Sequence, residues 1–410
     1  MRIGFDITAL YYSRAGVMYY HWRLLQALLR LGQEHEFVLV DYLPLSKWGE
    51  PGVALDSLSA PNARIVACSG LKDRKLTRWP LMTATPLGER LAHCIDGWLE
   101  PFWERAVDRS MHHRLDRALA GADVFHCSDV LLYKPRGVPT VITVHDLSTL
   151  LFPELHVHNT IEMHERKMHF VRTQADLVIA VSENTRRDVI KHLDVPPERV
   201  RVVYEAAGEQ FHPIEDAHTV AAIAHRYRLE PNSYVLTVGT LEPRKNQIRL
   251  VEAFHLLSQR GVTRGLKLVL AGGKGWLYDD LFQRVEELGL TEDVIFTGVV
   301  PDEDLPALMN GALVFVYPSL YEGFGLPVLE AMACGVPVIT SNVSSLPEVA
   351  GDAALLVDPY DVEGLAEAMR SLIESEETRS DLREKGLAQA ARFSWERTAR
   401  ETMRVYQALS

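Results

Sequence analysis

The chain has 410 residues, 47% of them apolar and 24% charged, which excludes a disordered, collagenous or coiled-coil protein and points to two globular domains. Its 43 lysines and arginines against 55 aspartates and glutamates give a formal net charge of −12, which argues against a nucleic-acid binder that relies on counterion release. Residues 1–212 carry 25 basic and 26 acidic side chains (−1), leaving 18 and 29 (−11) for the rest, so the first half tolerates an anionic surface better.

In chain order, short β-branched apolar runs alternate with segments of helical period. The first half predicts strands at 2–6, 36–40, 64–67, 123–126, 140–144, 176–181 and 201–204, and the second at 234–238, 267–271, 293–297, 313–317, 337–340 and 354–357. This is the pattern of βαβ units building parallel sheets covered on both faces. The expected fold class is α/β, with two Rossmann-like doubly wound domains facing across a cleft. The break falls at Phe211-His212-Pro213-Ile214, giving one domain over 1–212, a second over 213–392 and a closing helix over 393–410.

The first residues run straight into a strand, and no apolar stretch reaches the roughly 18 residues that a membrane span needs. With Cys68, Cys94, Cys127 and Cys334 forming no CxxC pair, reduced thiols and a cytoplasmic location are expected, without a disulfide framework or zinc site. Residues 68–118 interrupt the βα rhythm with Trp79, Trp98, Phe102 and Trp103 among nine basic and seven acidic residues. Helices covering the sheet satisfy that composition, and so does a docking surface at the inner face of the cell membrane.

The most informative stretch is Pro318-Ser319-Leu320-Tyr321-Glu322-Gly323-Phe324-Gly325-Leu326-Pro327-Val328-Leu329-Glu330. It leaves a strand, passes two glycines and enters a helix that Pro327 is suited to begin. Free N–H groups at such a helix start bind an anion such as phosphate. Glu322 in the loop and Glu330 one turn into the helix add two carboxylates beside it, a combination suited to a ligand that carries both phosphates and hydroxyls.

These residues resemble the E-x7-E motif of retaining glycosyltransferases of the family-4 type, which have the GT-B fold. Three further stretches match in family order: Gly239-Thr240-Leu241-Glu242-Pro243-Arg244-Lys245-Asn246 is similar to the family's phosphate loop, His145-Asp146-Leu147 to its histidine loop, and Phe393-Ser394-Trp395-Glu396-Arg397 to the start of its final helix. The resemblance implies that Arg244 and Lys245 neutralise the donor diphosphate together with the helix start at Gly323, Phe324, Gly325 and Leu326. It implies Glu330 on the ribose hydroxyls, Glu322 on hydroxyls of the transferred sugar, and His145 near the sugar's 6-hydroxyl and reacting carbon. Of the family's first glycine loop, similar to GIGRY, Gly16-Val17-Met18-Tyr19-Tyr20 keeps only Gly16, and Thr240 stands where many members have arginine. The segment His145–His156 and the run Gly273–Tyr278 resemble mannosyltransferases of bacterial surface polysaccharide assembly. That implies a hexosyl transfer from GDP-mannose, with a UDP-sugar as the alternative donor, to a glycan or lipid-linked acceptor, with 1–212 as the acceptor-binding domain, 213–392 as the nucleotide-sugar-binding domain and 393–410 as a helix crossing back to the first.

The chemistry agrees on elementary grounds. Breaking a glycosyl–phosphate bond develops negative charge on the diphosphate, which preorganised cations and N–H groups stabilise without a bound metal or other cofactor. Asp302-Glu303-Asp304 spells a DxD string, read here as acids at the start of a helix. His156, His158, His164 and His169 read as solvated loop and helix residues, and Gly272-Gly273-Lys274-Gly275 as a turn lining the cleft. A nicotinamide dehydrogenase is disfavoured because no GxGxxG follows the first strand. A non-catalytic sugar-nucleotide sensor on the same scaffold is the remaining alternative.

Overall fold

The computed structural model describes residues 1–11, 16–41, 58, 60–68 and 112–409. Most of the 68–118 segment, including Trp79, Trp98, Phe102, Trp103 and Cys94, lies outside the described residues.

All thirteen predicted strands form. They are β1 (Arg2–Asp6), β2 (Glu36–Asp41), β3 (Ala63–Ala67), β4 (Val124–Cys127), β5 (Thr140–Val144), β6 (Leu177–Ala180), β7 (Val200–Val202), β8 (Tyr234–Val238), β9 (Lys267–Ala271), β10 (Val294–Gly298), β11 (Val314–Tyr317), β12 (Val338–Ser341) and β13 (Ala354–Val357). The first seven make one sheet in the order β3-β2-β1-β4-β5-β6-β7 and the last six make another, β10-β9-β8-β11-β12-β13. Each order is the doubly wound one, so the chain reverses direction at a switch point, between β1 and β4 in the first sheet and between β8 and β11 in the second.

The strand sequences explain why they lie inside. Every residue of β4, β5, β6, β11 and β12 is buried, as continuous Val/Ile/Phe runs in a sheet covered on both faces must be. In the second sheet Val235, Leu268, Val316 and Ile339 pack with Phe254, Leu257, Leu365 and Met369 from the covering helices. Full burial of each such side chain stabilises the fold by about 1.5–3 kcal/mol. Cys68, Cys127 and Cys334 are buried and free. No helix among the described residues is long and apolar enough to cross a membrane.

The chain divides into two compact units: Met1–Thr143 with His169–Ile179 and Ala399–Ser410, and Val144–Met168 with Ala180–Thr398. The loops that follow β5 and β6 therefore group with the second sheet. The last helix, Trp395–Gln407, contributes its final residues to the first unit, where the Tyr406 hydroxyl lies 2.6 Å from His126 Nδ1.

Candidate active site

At the switch point of the second sheet, β8 runs into Gly239–Asn246 and β11 into Pro318–Gly325, the two loops that carry the sequence motifs. Both are shaped locally. Asn246 takes a left-handed conformation (φ 60°), and its amide donates to the carbonyls of Pro318 at 2.9 Å and Pro359 at 2.7 Å. Leu320 N–H donates to Arg244 O at 2.9 Å, joining the two loops main chain to main chain. Gly325 has φ 114°, a conformation that L side chains rarely adopt, and the helix Leu326–Ala333 begins immediately after it with Pro327 in its first turn. Ser345 fixes the loop by donating to Glu322 O at 2.9 Å and to Phe324 O at 2.7 Å.

The cations expected to meet a diphosphate are buried in a charge cluster. Arg244 reaches Glu242 Oε1 at 2.6 Å, Glu322 Oε2 at 2.9 Å and Tyr321 O at 2.8 Å. Lys245 Nζ donates to Glu322 Oε1 at 2.7 Å and to the Tyr317 hydroxyl at 2.5 Å, and that hydroxyl donates to the same Oε1 at 3.0 Å. Lys245, Tyr317 and Glu322 thus form a closed triangle. Burial opposes ionisation of Glu322, but Arg244 and Lys245 outweigh it and bring its pKa down to about 2. Burial also opposes the Arg244 charge, and Glu322, Glu242 and Asp146 more than offset it. Burial and then Arg244 lower the pKa of Lys245. Arg244 Nε is buried with no hydrogen-bond partner among the described residues.

His145, the residue after β5, belongs to the same unit. Its carbonyl lies so close to Gly323 that a Cβ at 323 would overlap it, which is why glycine stands there. Next to it, Asp146 accepts from Ser148 N at 2.9 Å and Oγ at 2.8 Å; burial opposes its ionisation, but Arg244 and these bonds hold it well below the usual carboxylate range. The Gly323 carbonyl accepts in turn from Ser182 Oγ at 2.6 Å and Thr185 Oγ1 at 3.0 Å.

The expected residues therefore separate into two sets. His145, Arg244, Lys245, Glu322, Gly323, Phe324 and Gly325 come together through these contacts. Leu326 and Glu330 follow on the adjoining helix, both half-buried. Gly16 is the exposed first residue of the helix Gly16–Leu31 in the other unit.

Sequence reasoning missed Tyr317, which reads as an ordinary β11 core residue, and the compensating carboxylates Glu242 and Asp146. The reading of Asp302-Glu303-Asp304 as first-turn helix acids needs correction. These residues form a turn before the helix Leu305–Asn310, and the buried Asp304 carboxylate accepts from Arg226 at 2.8 Å and from the Tyr227 hydroxyl at 3.0 Å. The Gly272–Gly275 turn is laced to the Gly239–Asn246 loop by Leu241 N–H to Gly273 O at 2.9 Å and Gly275 N–H to Leu241 O at 3.1 Å. Of the spaced histidines, His164 meets Thr149 at 3.1 Å, His158 meets Glu162 at 3.2 Å and His156 lies against the Trp276 ring. A cavity of about 470 Å³ beside the Gly239–Asn246 loop is lined by Phe152, Asn246, Gln247, Tyr278 and Tyr360 among others. The amides of Asn246 and Gln247 donate to main-chain carbonyls, so these donors are used within the protein.

Two doubly wound sheets, the second with a glycine loop, paired cations and a helix start at its switch point, are the GT-B architecture of glycosyltransferases. A model of the glycosyl transferases of group 1 matches residues 224–389, and one of Glycosyltransferase Family 4 matches residues 65–206. The chain belongs to this glycosyltransferase family. It is 41% identical over 270 residues to the O-antigen chain mannosyltransferase B of Escherichia coli, a match covering 66% of this chain and 70% of that protein. It is 36% identical over 265 residues to the serotype-specific mannosyltransferase WbdA of Escherichia coli, covering 63% of this chain but only 32% of that longer protein. The crystal structure of Anabaena Alr3699/HepE in complex with UDP and glucose superposes with a TM-score of 0.70 at 17% identity over 100% of both chains, a likeness of fold.

Proposed function

We propose that this protein is a retaining hexosyltransferase that moves mannose from GDP-mannose to a glycan or lipid-linked acceptor without a metal ion. The observation that carries the reading is the buried Arg244–Lys245–Glu322 cluster at the second switch point, beside the helix start at Gly325–Leu326. As the bond from the anomeric carbon to the diphosphate breaks, negative charge grows on the leaving phosphate. Arg244, Lys245 and the N–H groups opened by Gly323, Phe324 and Gly325 stabilise that charge in the transition state. Glu322 accepts from hydroxyls of the transferred sugar, Glu330 from the ribose, and His145 lies near the 6-hydroxyl. The acceptor hydroxyl attacks from the face the phosphate leaves, and its proton passes to a phosphate oxygen, so the configuration is retained. The choice of mannose is supported by the likeness to two mannosyltransferases.

The test is transfer from GDP-mannose, UDP-glucose and ADP-glucose by purified protein, with the product's anomeric configuration read by NMR. Thermal shifts with GDP, UDP and ADP rank the bases independently, since a bound ligand raises stability by RT ln(1 + [L]/Kd). An inverted product would remove the same-face step, and a UDP preference would replace the donor. Donor binding without transfer to any acceptor would favour a sensor.

The acceptor domain is proposed to work at the cytoplasmic face of the membrane, as a peripheral protein. The support is the −1 against −11 charge split together with the tryptophans of 68–118. Flotation with anionic liposomes at low and high salt decides it: no binding in either condition would sink the idea.

A further inference from the structure

His145 is held at two points. Its main-chain carbonyl abuts Gly323, and its ring Nδ1 lies 3.1 Å from Glu205 Oε1. Glu205 is 60 residues away in sequence, just beyond β7, and its side chain is only 5% exposed, against 15% for the histidine. A carboxylate removed from water to that depth needs a hydrogen-bond donor. A carboxylate oxygen only accepts, so the pairing assigns a proton to Nδ1 and makes Nε2 the nitrogen that faces other groups. Imidazole orientation is otherwise loosely set, because the ring torsion is broad and roughly two-fold.

We propose that Glu205 is a positioning residue of the transfer reaction, fixing the ring plane and tautomer of His145 so that Nε2 is the nitrogen presented to the donor sugar. The inference rests on the role given to His145 above and deepens it. The backbone contact at Gly323 sets where the residue stands, and the Glu205 contact sets which nitrogen it offers. A wrong tautomer in otherwise intact geometry is costly in enzymes that orient a histidine with a carboxylate.

The experiment uses the full chain as wild type, Glu205→Gln, His145→Ala and the double variant. Imidazole ¹⁵N spectra, recorded where the ring is neutral, are expected to show Nδ1–H at His145 in the wild type and a mixture of tautomers in Glu205→Gln. With GDP-mannose, Glu205→Gln should lower kcat by about tenfold to a hundredfold while the donor KM changes little. In the His145→Ala background the same substitution should have no further effect, because Glu205 acts through the ring. An unchanged tautomer, an unchanged kcat, or equal losses in both backgrounds would overturn the proposal; equal losses are what a merely structural carboxylate gives. Glu205→Asp, which keeps the charge on a shorter arm, carries the same comparison if the glutamine variant does not fold. Absence of transfer by the wild type from any sugar nucleotide would strike at the proposed activity, and the tautomer measurement would still decide whether Glu205 positions His145.

Discussion

Both sheets place a buried carboxylate at their switch point, and the two are driven in opposite directions. Asp6 ends β1 beside β4; its carboxylate accepts from Thr8 N at 2.9 Å, from the Thr8 hydroxyl, and from the main chain and hydroxyl of Ser128. Burial pushes its pKa up to about 6, with those hydrogen bonds pulling part of the way back. Glu322 sits in the loop after β11, at the switch point of the second sheet, and Arg244 and Lys245 overcome its burial to bring its pKa down to about 2. The carboxylates at the two switch points differ in their neighbours: hydroxyl and main-chain donors surround Asp6, and two cations stand beside Glu322. Topology supplies the position, and neighbouring charge decides whether it is a place for anions.

The largest expected effect breaks the ion cluster on the second sheet's side of that comparison. Glu322→Ala and Lys245→Ala should each lower turnover by about a hundredfold or more, since each removes preorganised charge at the reacting bond. Glu330→Ala should mainly weaken donor binding. Near-normal transfer by a folded Lys245 variant would take that residue out of the mechanism.

Stability against pH sharpens the contrast, and the two carboxylates have opposite signs. The folded pKa of Asp6 lies above the ordinary aspartate value of 3.8, so the native state binds the extra proton: its contribution is full below about 3.8 and is lost as pH rises through about 6. The folded pKa of Glu322 lies below the ordinary glutamate value of 4.5, so its contribution is full above about 4.5 and is lost as pH falls through about 2. Urea unfolding of wild type against Asp6→Asn should show the wild type's advantage shrinking by a few kcal/mol between pH 4 and pH 7. Against Glu322→Gln, the advantage should grow from pH 2 to pH 5. Parallel curves in either pair would mean that the carboxylate concerned does not feel its surroundings as described.

Tyr317→Phe probes how far the Lys245–Tyr317–Glu322 triangle depends on its hydroxyl. Loss of one buried hydrogen-bonding group from a charged pair should cost about tenfold in turnover with little change in fold. Unchanged kcat would leave Lys245 and Glu322 sufficient without it.

What the sequence disclosed and what it hid follow from the range of each interaction. All thirteen strands were legible because a buried parallel strand must be apolar throughout, and the loops at 239–246 and 318–325 because glycine, proline and charge mark a strand-to-helix turn locally. Tyr317 was not, since the last residue of a core strand gives no sign that its hydroxyl meets Lys245, 72 positions away. Glu205 was hidden likewise, as an acid in an unremarkable loop. Asp304 misled because a DxD next to a helix reads as dipole chemistry, whereas its carboxylate is spent on a neighbouring helix through Arg226 and Tyr227.

The smallest effect expected is also the most discriminating for the mechanism. Activity should persist in excess EDTA, and Asp302→Ala should be nearly silent. A bound cation is needed when the diphosphate's developing charge has no other partner. In the second sheet Arg244 and Lys245 stand beside a helix start, in a buried setting where each is worth more than in water. Asp304→Ala should behave differently from Asp302→Ala for a structural reason: it strips a buried acceptor from Tyr227 and Arg226 and should lower stability by about 1–3 kcal/mol with kcat kept near wild type. The pair of variants therefore separates packing from metal binding. A metal site would couple the two acids, so that both variants lose turnover and neither is rescued by manganese or magnesium after EDTA, while wild type is. That outcome would overturn the cation-based mechanism, and with it the view that charge beside Glu322 is what sets the second switch point apart from the first.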